Sequence, residues 1–403
     1  MKVVIIGAGP SGLMCAINAA ANGHDVTILE KNEKAGKKIY ITGKGRCNIT
    51  NNCDVNDFLN NVVRNNRFLY SAINTFKPSD TIDFFESRGV PLVTERGNRV
   101  FPKSYKASDI TRVLTKECEK NKVRVYYHTH ISKIEKQEEQ FVISYNGTLK
   151  ITCDKLVIAT GGLSYPTTGS TGDGYIYGEQ FGHSIIPTYP SLCCLRINDK
   201  VSYDADGLTL KNVCLHAYND RVKYEFEGEM NFAKGIIDGP IVLKLSTLIQ
   251  EEKNIRLFID LKMALSKEQL DERLVRDFRE NPNLSLKEEL AKLLPPHMIK
   301  DFITRVKLEP SIKLNSIRKE QREKIVSYLK RYDLDYVGLG GYNRAIVTRG
   351  GINIKEINPK TFESKITPNL YFIGEVLDVD AFTGGFNMQI ALSSGYTCGK
   401  FMK

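Results

Sequence analysis

Near the start of the chain, Gly7-Ala8-Gly9-Pro10-Ser11-Gly12 has the residue types and spacing of a turn that cradles a diphosphate. Gly7 permits a tight turn, Gly9 lets backbone approach a pyrophosphate, and Gly12 allows a helix to lie close against a sheet. The unpaired N–H groups and positive dipole end of the following helix would receive the phosphate oxygens. Glu30, 23 residues beyond Gly7, ends a second apolar run and is placed to accept hydrogen bonds from a ribose diol. These residues point to a dinucleotide and leave FAD and NAD both open.

A second reactive stretch, Thr42-Gly43-Lys44-Gly45-Arg46-Cys47-Asn48, has too much glycine for a strand and too little apolar periodicity for a helix. It reads as a loop built to approach something. Arg46 suits an oxyanion, a phosphate or a loop ion pair, and Cys47 has Cys53 nearby as a possible redox partner. The six histidines are scattered, with no Ser/His/Asp arrangement and no metal-ligand spacing, so each reads as structural and no metal is expected.

The elements that must position these groups follow from periodicity. A four-residue apolar run before Gly7, an alanine-rich helix and the run ending at Glu30 form a β-α-β unit. Helical spacing covers 56–76 and 79–89, and Ser108 is placed to cap a helix over 109–121. Strands are expected at 123–127, 131–135 and 140–145. The continuous apolar run Lys155-Leu-Val-Ile-Ala-Thr160-Gly161 suits a buried parallel strand that rejoins the first sheet. A second glycine-rich loop, 164–174, opens a helix ending near Gly182. From 188 to 262 short strands predominate, 263–331 is helical, and 337–357 returns to strands, which implies an inserted β domain carrying a helical subdomain. A last buried strand ends at Gly374-Glu375, and Gly384-Gly385 starts the final helix. There a free helix N-terminus at Gly385 to Asn387 would stabilise negative charge on a bound ligand, such as a reduced flavin ring if the dinucleotide is FAD.

Composition bounds the rest. The chain has 403 residues, 41% hydrophobic and 26% charged, ordinary for a globular protein of two or three domains. No apolar run approaches the length of a membrane span, and Met1 leads straight into a core strand, so neither a span nor a signal peptide is expected. Nine cysteines, an odd number with no Cys-x-x-Cys pair, suggest reduced thiols and a cytoplasmic location. Of the net charge of +10, much lies in two places. Residues 31–46 carry six basic side chains against one acid, and 262–331 carry seventeen against eleven. The second patch is either a solvated helical surface or a face for an anionic partner such as RNA.

Three motifs in order carry a resemblance: Thr42 to Asn51, Thr168-Gly-Ser-Thr-Gly172-Asp173-Gly-Tyr175, and Gly374-Glu-Val-Leu-Asp378 through Thr383-Gly-Gly-Phe-Asn387-Met-Gln389. Over essentially its full length the chain resembles the BaiN/YhiN-like (aminoacetone-oxidase-like) FAD-dependent flavoproteins of the glutathione-reductase-like superfamily. The resemblance implies an α/β fold. A Rossmann-like FAD-binding domain of three-layer β/β/α type (1–187 and 346–403) would receive a β-barrel-like insert (188–262 and 312–345) carrying a helical subdomain (263–311). It implies FAD with its diphosphate at Gly9, Pro10, Ser11 and Gly12 and its ribose at Glu30, with Lys31 also binding the cofactor. Lys38, Gly43, Ile131, Thr160, Gly161 and Gly374 would line its path, with Glu375 at the ribityl hydroxyls. Arg46, Cys47 and Asn48, the candidate catalytic residues, would flank the isoalloxazine with Gly385, Phe386, Asn387 and Met388. Cys47 and Cys53 are separated by five residues, against four in the superfamily's disulfide reductases, so Cys47 reads rather as a small group near the flavin or a modest donor.

The activity so implied is reduction of a C=C bond conjugated to a carbonyl, either uracil in ribosomal RNA or an enone such as a 3-oxo-Δ4 bile-acid intermediate. No second dinucleotide fingerprint is present, so NAD(P)H would dock transiently as reductant. The alternatives are a flavin oxidase of a small amine such as aminoacetone, and a non-enzymatic RNA-binding or redox-sensing flavoprotein.

Overall fold

The computed structural model describes residues 1–43 and 45–402. Lys44, part of the first basic patch, and Lys403 lie outside them. The chain divides into two compact units, one of residues Met1–Ser191 and Tyr342–Lys403 and one of Leu192–Gly341.

The first unit is built on five parallel strands: β1 (Lys2–Ile6), β2 (Asp25–Leu29), β3 (Arg124–Tyr126), β4 (Lys155–Ile158) and β5 (Leu370–Phe372), in the order β5-β4-β1-β2-β3. Val3 to Ile6, Val26 to Leu29 and all of β4 are buried, which is why these strands read as mainly apolar runs, with Thr27 and Lys155 buried among them. Helix α1 (Pro10–Ala21) follows β1, and helix α2 (Phe386–Phe401) closes the chain against it. They cross closely. A Cβ on Gly395 would stand 2.2 Å from the Ser11 carbonyl oxygen. Cys15, Cys118 and Cys398 fill this helical layer as small buried groups. An antiparallel sheet of Ile131–Gln137, Gln140–Tyr145 and Leu149–Cys153 contributes Ile134, Phe141, Ile143 and Cys153 to the same core.

Two local expectations change. The helical spacing over 56–76 is interrupted: helices Val55–Asn60 and Asn66–Thr75 flank a short strand, Val62–Arg64, that pairs with Asp380–Ala381. A long-range pairing has overridden local periodicity. Ser108 does not cap the next helix, which runs Ala107–Lys120 from an N-cap at Lys106 and places Ser108 inside its first turn.

In the second unit seven antiparallel strands run, in spatial order, Tyr332–Leu334, Arg256–Asp260, Thr209–Tyr218, Lys223–Ala233, Ile236–Asp238, Leu195–Ile197 and Tyr336–Leu339. The two outermost strands are consecutive in the chain, separated by Asp335 alone, so the sheet must curl round towards itself. Helices Lys267–Glu280, Leu286–Leu293, Pro296–Val306 and Lys319–Lys330 share one core with it, and Ser266 and Ser285 cap the first two in capping boxes. The unit's ends meet, since the Gly340 N–H donates to the Cys194 carbonyl at 2.9 Å.

Candidate functional site

A cavity of about 800 Å³ runs through the first unit past the carboxyl ends of β1, β2 and β4, where open α/β sheets bind ligands. Gly7, at φ +105°, turns the chain off β1 so tightly that a Cβ would meet the Ala159 carbonyl at 2.5 Å. A Cβ on Gly9 would meet nothing within 4 Å, so at that point the backbone borders open space. α1 starts at Pro10 with no side-chain cap, and the N–H groups of its first turn have no partner within the helix. Gly7, Gly9, Pro10 and Ser11 all line the cavity, with Gly12 packed behind them.

Glu30 is buried and lines the same cavity. Its Oε2 accepts the Ala8 N–H at 2.7 Å, and its Oε1 accepts the Asn32 N–H (2.8 Å) and side-chain amide (2.6 Å). Lys31 pairs with Asp173 at 2.7 Å and also donates to Thr171, while the Asn32 amide donates to the Thr168 carbonyl at 3.0 Å. The second glycine-rich loop is thereby tied to the end of β2, and Thr168 to Thr171 with Asp173 form a wall of the cavity. Farther along, Lys38 pairs with Glu375 (2.7 Å) and donates to the Ser164 hydroxyl (2.6 Å). Glu375 also accepts from Ser164 (2.6 Å) and from the Thr348 N–H (2.9 Å). Ile131, Thr160 and Gly161 line the intervening stretch.

At the other end α2 presents its first turn, with Asn387 and Met388 lining the cavity. Its cap, Gly385, lies so close to the Thr50 carbonyl that a Cβ would stand 2.2 Å away. The Asn387 side chain is committed to backbone: its oxygen accepts the Ala381 N–H (3.0 Å) and its nitrogen donates to the Ala381 carbonyl (2.8 Å). Its main-chain N–H is the part available to a ligand. Ile346, Val347, Val379 and Ile390 complete an apolar wall.

Gly43, Arg46, Cys47, Asn48, Gly374, Gly385 and Phe386 stand outside this lining, and the glycine loop reaches the cavity through Thr42. Arg46 pairs with Glu95 at 3.1 Å and lies 4.5 Å over the Phe101 ring. Cys47 is fully buried, and burial pushes its thiol up to about 12; Cys53 is pushed up to about 11 by burial and by Asp57 and Asp54. Both are held as thiols. Asn48, with its amide nitrogen facing the Val100 and Thr50 carbonyls, accepts the Gly385 N–H at 2.9 Å and so braces the cap of α2. Phe386 packs edge-on against Phe58 at 5.3 Å. Sequence reasoning did not single out Asn32, Ser164, Thr348, Val347 or Val379. The first three act through backbone or another side chain, and the valines look like any core residue.

The donor set suits an elongated dinucleotide: a free helix N-terminus at each end, one acid near the first, and an apolar wall near the second. Its size falls in the ordinary range for cofactor sites. Among the described residues no cluster of side chains has the composition of a metal site.

The chain matches the family described as "HI0933-like protein Rossmann domain" over residues 1–401. It is 32% identical over 405 residues to the ribosomal RNA dihydrouridine synthase of Escherichia coli K12, covering 98% of this chain and 96% of that one. It is 28% identical over 405 residues to the 3-dehydro-bile acid delta(4,6)-reductase of Clostridium scindens, covering 99% and 98%. Among solved structures, the 3-ketosteroid-delta4-(5alpha)-dehydrogenase of Rhodococcus jostii RHA1 superposes with a TM-score of 0.52 at 12% identity, covering 99% of this chain and 97% of that one, a likeness of fold.

Proposed function

Because the chain belongs to the HI0933-like Rossmann family, we propose that it is an FAD-dependent oxidoreductase that reduces a C=C bond conjugated to a carbonyl, with NAD(P)H as electron donor. The observation that carries this reading is the cavity with a helix N-terminus at each end. The names of the two relatives support it, because dihydrouridine formation and enone reduction share one chemistry. Of the two substrates we favour uracil in ribosomal RNA, on the higher identity to the dihydrouridine synthase and the basic helical segment 262–331.

In this reading residues 1–187 and 346–403 form the three-layer β/β/α cofactor domain. Residues 188–262 and 312–345 form the barrel-like insert, and 263–311 its helical part. FAD, when bound, supplies the hydride. The first turn of α1 receives its diphosphate, and Glu30, which keeps acceptor capacity beyond its three present donors, takes the ribose. The first turn of α2 offers N–H groups and a positive dipole end to charge developing on the flavin ring. The Lys38–Glu375 pair bounds the ribityl stretch, and Ile346, Val347 and Val379 give the ring an apolar wall to lie against. Arg46, Cys47 and Asn48 support this end from behind, Asn48 through the α2 cap.

The test is to compare dihydrouridine in ribosomal RNA from cells with and without this gene. Loss of one modified uridine on deletion is expected. If the modification pattern is unchanged, and the anaerobically photoreduced protein is reoxidised by neither uridine-containing RNA nor an enone, the reductase reading is wrong.

A further inference from the structure

Asp380 is a buried carboxyl with no part in the binding scheme above. It directly follows Val379, which lines the cavity, but is not itself among the lining residues. Its neighbours are held in place. Asp380–Ala381 pairs with Val62–Arg64, and both backbone groups of Ala381 are bound by the Asn387 side chain. Asp378 takes the Arg64 guanidinium at 2.6 Å and the Asn65 amide at 3.0 Å. Asp380 has a sparser set: its Oδ2 accepts the Ser191 hydroxyl at 2.9 Å, while its Oδ1 is buried without a hydrogen-bond partner. Both Asp380 and Ser191 are 0% exposed. Ser191 in turn lies directly across the sheet from Val347, a second cavity-lining residue. The carboxyl and hydroxyl therefore stand together next to Val347 and Val379, without themselves lining the cavity.

An ionised carboxylate with one oxygen orphaned in the interior is costly, whereas a neutral acid leaves far less unsatisfied. Burial pushes the carboxyl up to about 6, against the opposing pull of Arg349, the Ser191 hydrogen bond and Arg64 and with the support of Asp378. These groups come from each strand packed around it, and their balance lets the group change charge near neutrality.

We propose that Asp380 holds, as a neutral acid, the proton that must accompany hydride addition at this site, and that the Ser191 hydroxyl passes it towards the cavity. The proposal rests on the reductase reading. Hydride, with its two electrons from the reduced flavin cofactor, joins one carbon of the double bond and leaves an electron pair on the neighbouring carbon. That carbon takes a proton from Ser191, by way of cavity water. The Ser191 hydroxyl, which donates to Asp380 at rest, turns to release its proton towards the cavity while its oxygen takes the proton of Asp380 Oδ2, and the carboxylate left behind faces Arg349 until solvent water reprotonates it. Asp380 is a positioning and proton-storing residue; it does not itself touch the cavity.

The experiment uses the FAD-loaded protein, reduced anaerobically and mixed with cyclohexenone or an oligouridylate. Wild-type reoxidation should slow as pH rises through about 6. Asp380→Asn should lose that inflection and about 100-fold or more in rate, with FAD content unchanged. Ser191→Ala should slow the reaction while keeping the inflection. Infrared spectra of the oxidised protein without substrate should show a carboxylic-acid band that disappears as pH rises through about 6 in wild type and Ser191→Ala and is absent in Asp380→Asn. A wild-type pH profile in Asp380→Asn, or no such band in wild type, overturns the proposal. If neither probe reoxidises wild type, the reductase reading falls, and the infrared band still decides whether Asp380 stores a proton.

Discussion

Glu30 accepts the Ala8 N–H at 2.7 Å, so the acid that follows the second strand also closes the glycine turn that follows the first. One side chain thereby sets both walls of the ribose end. Glu30→Ala removes the acceptor of three donors in a buried setting and should cost about 2–4 kcal/mol of stability, read as a fall in the denaturation midpoint. It should also lower FAD retention on gel filtration. A variant that keeps its full complement of FAD would contradict the ribose assignment.

Gly9 and Gly12 separate binding from folding. Gly9→Ala adds a methyl group where the chain has nothing within 4 Å, so stability should shift by no more than about 0.5 kcal/mol while FAD affinity drops. Gly12→Ala drives a Cβ to 2.1 Å from the Gly7 carbonyl and should destabilise the protein itself by more than about 3 kcal/mol. Paired thermal melts and cofactor titrations distinguish the two, and equal losses of affinity in a destabilised Gly9→Ala would refute the open-cradle geometry.

His183 gives a pH-dependent term away from the cavity. It is buried between Glu356 (Nδ1 to Oε2, 3.0 Å) and the Ser364 hydroxyl (Nε2 to Oγ, 2.8 Å), which also accepts the Ile366 and Thr367 N–H groups. A neutral ring donating to Glu356 and accepting from Ser364 satisfies every partner. Burial lowers the pKa of His183 below 6.5, outweighing Glu356. The unfolded chain then binds more protons between the folded value and 6.5, so this contribution is complete above pH 6.5 and is lost as pH falls through the folded pKa. Denaturant midpoints measured from pH 7.5 down to 5 should fall less steeply in His183→Gln than in wild type. Parallel curves would rule the account out.

The RNA reading has its own test in the helical region. Arg322 is held by Asp271 through two hydrogen bonds (2.7 and 3.0 Å), so removing it disturbs packing between helices. Lys313, Arg318 and Lys319 are the better probes. Replacing all three with Gln should weaken RNA binding and lower the slope of log affinity against log salt by about 0.7 for each phosphate no longer neutralised. Binding unchanged in both affinity and salt slope would remove the support that the basic segment lends to an RNA substrate.

The β-α-β unit was legible because glycine spacing, apolar runs and the acid at Glu30 are all local signals. Much of the remaining cavity was not. Asn32 carries no signature until the second glycine-rich loop is folded against it, and Val347 and Val379 differ from core valines only in what stands opposite them. The Arg46, Cys47 and Asn48 loop was visible as a motif, yet its distance from the cavity lining depends on the hairpin Leu92–Glu95 and Arg99–Pro102, whose Glu95 holds Arg46. The short strand at Val62–Arg64 was hidden for the same reason: its partner lies more than three hundred residues later.

The hydrogen bond between Gly340 and Cys194 makes the second unit a cartridge with its two leads side by side. In the first unit, Ser191 and Val347 are likewise paired neighbours in one sheet. Two splice points, with little slack at either, would therefore suffice to exchange the cartridge between relatives or replace it with a short turn. Such grafts keep the nucleotide cradle intact while swapping the part of the chain that carries the basic helices.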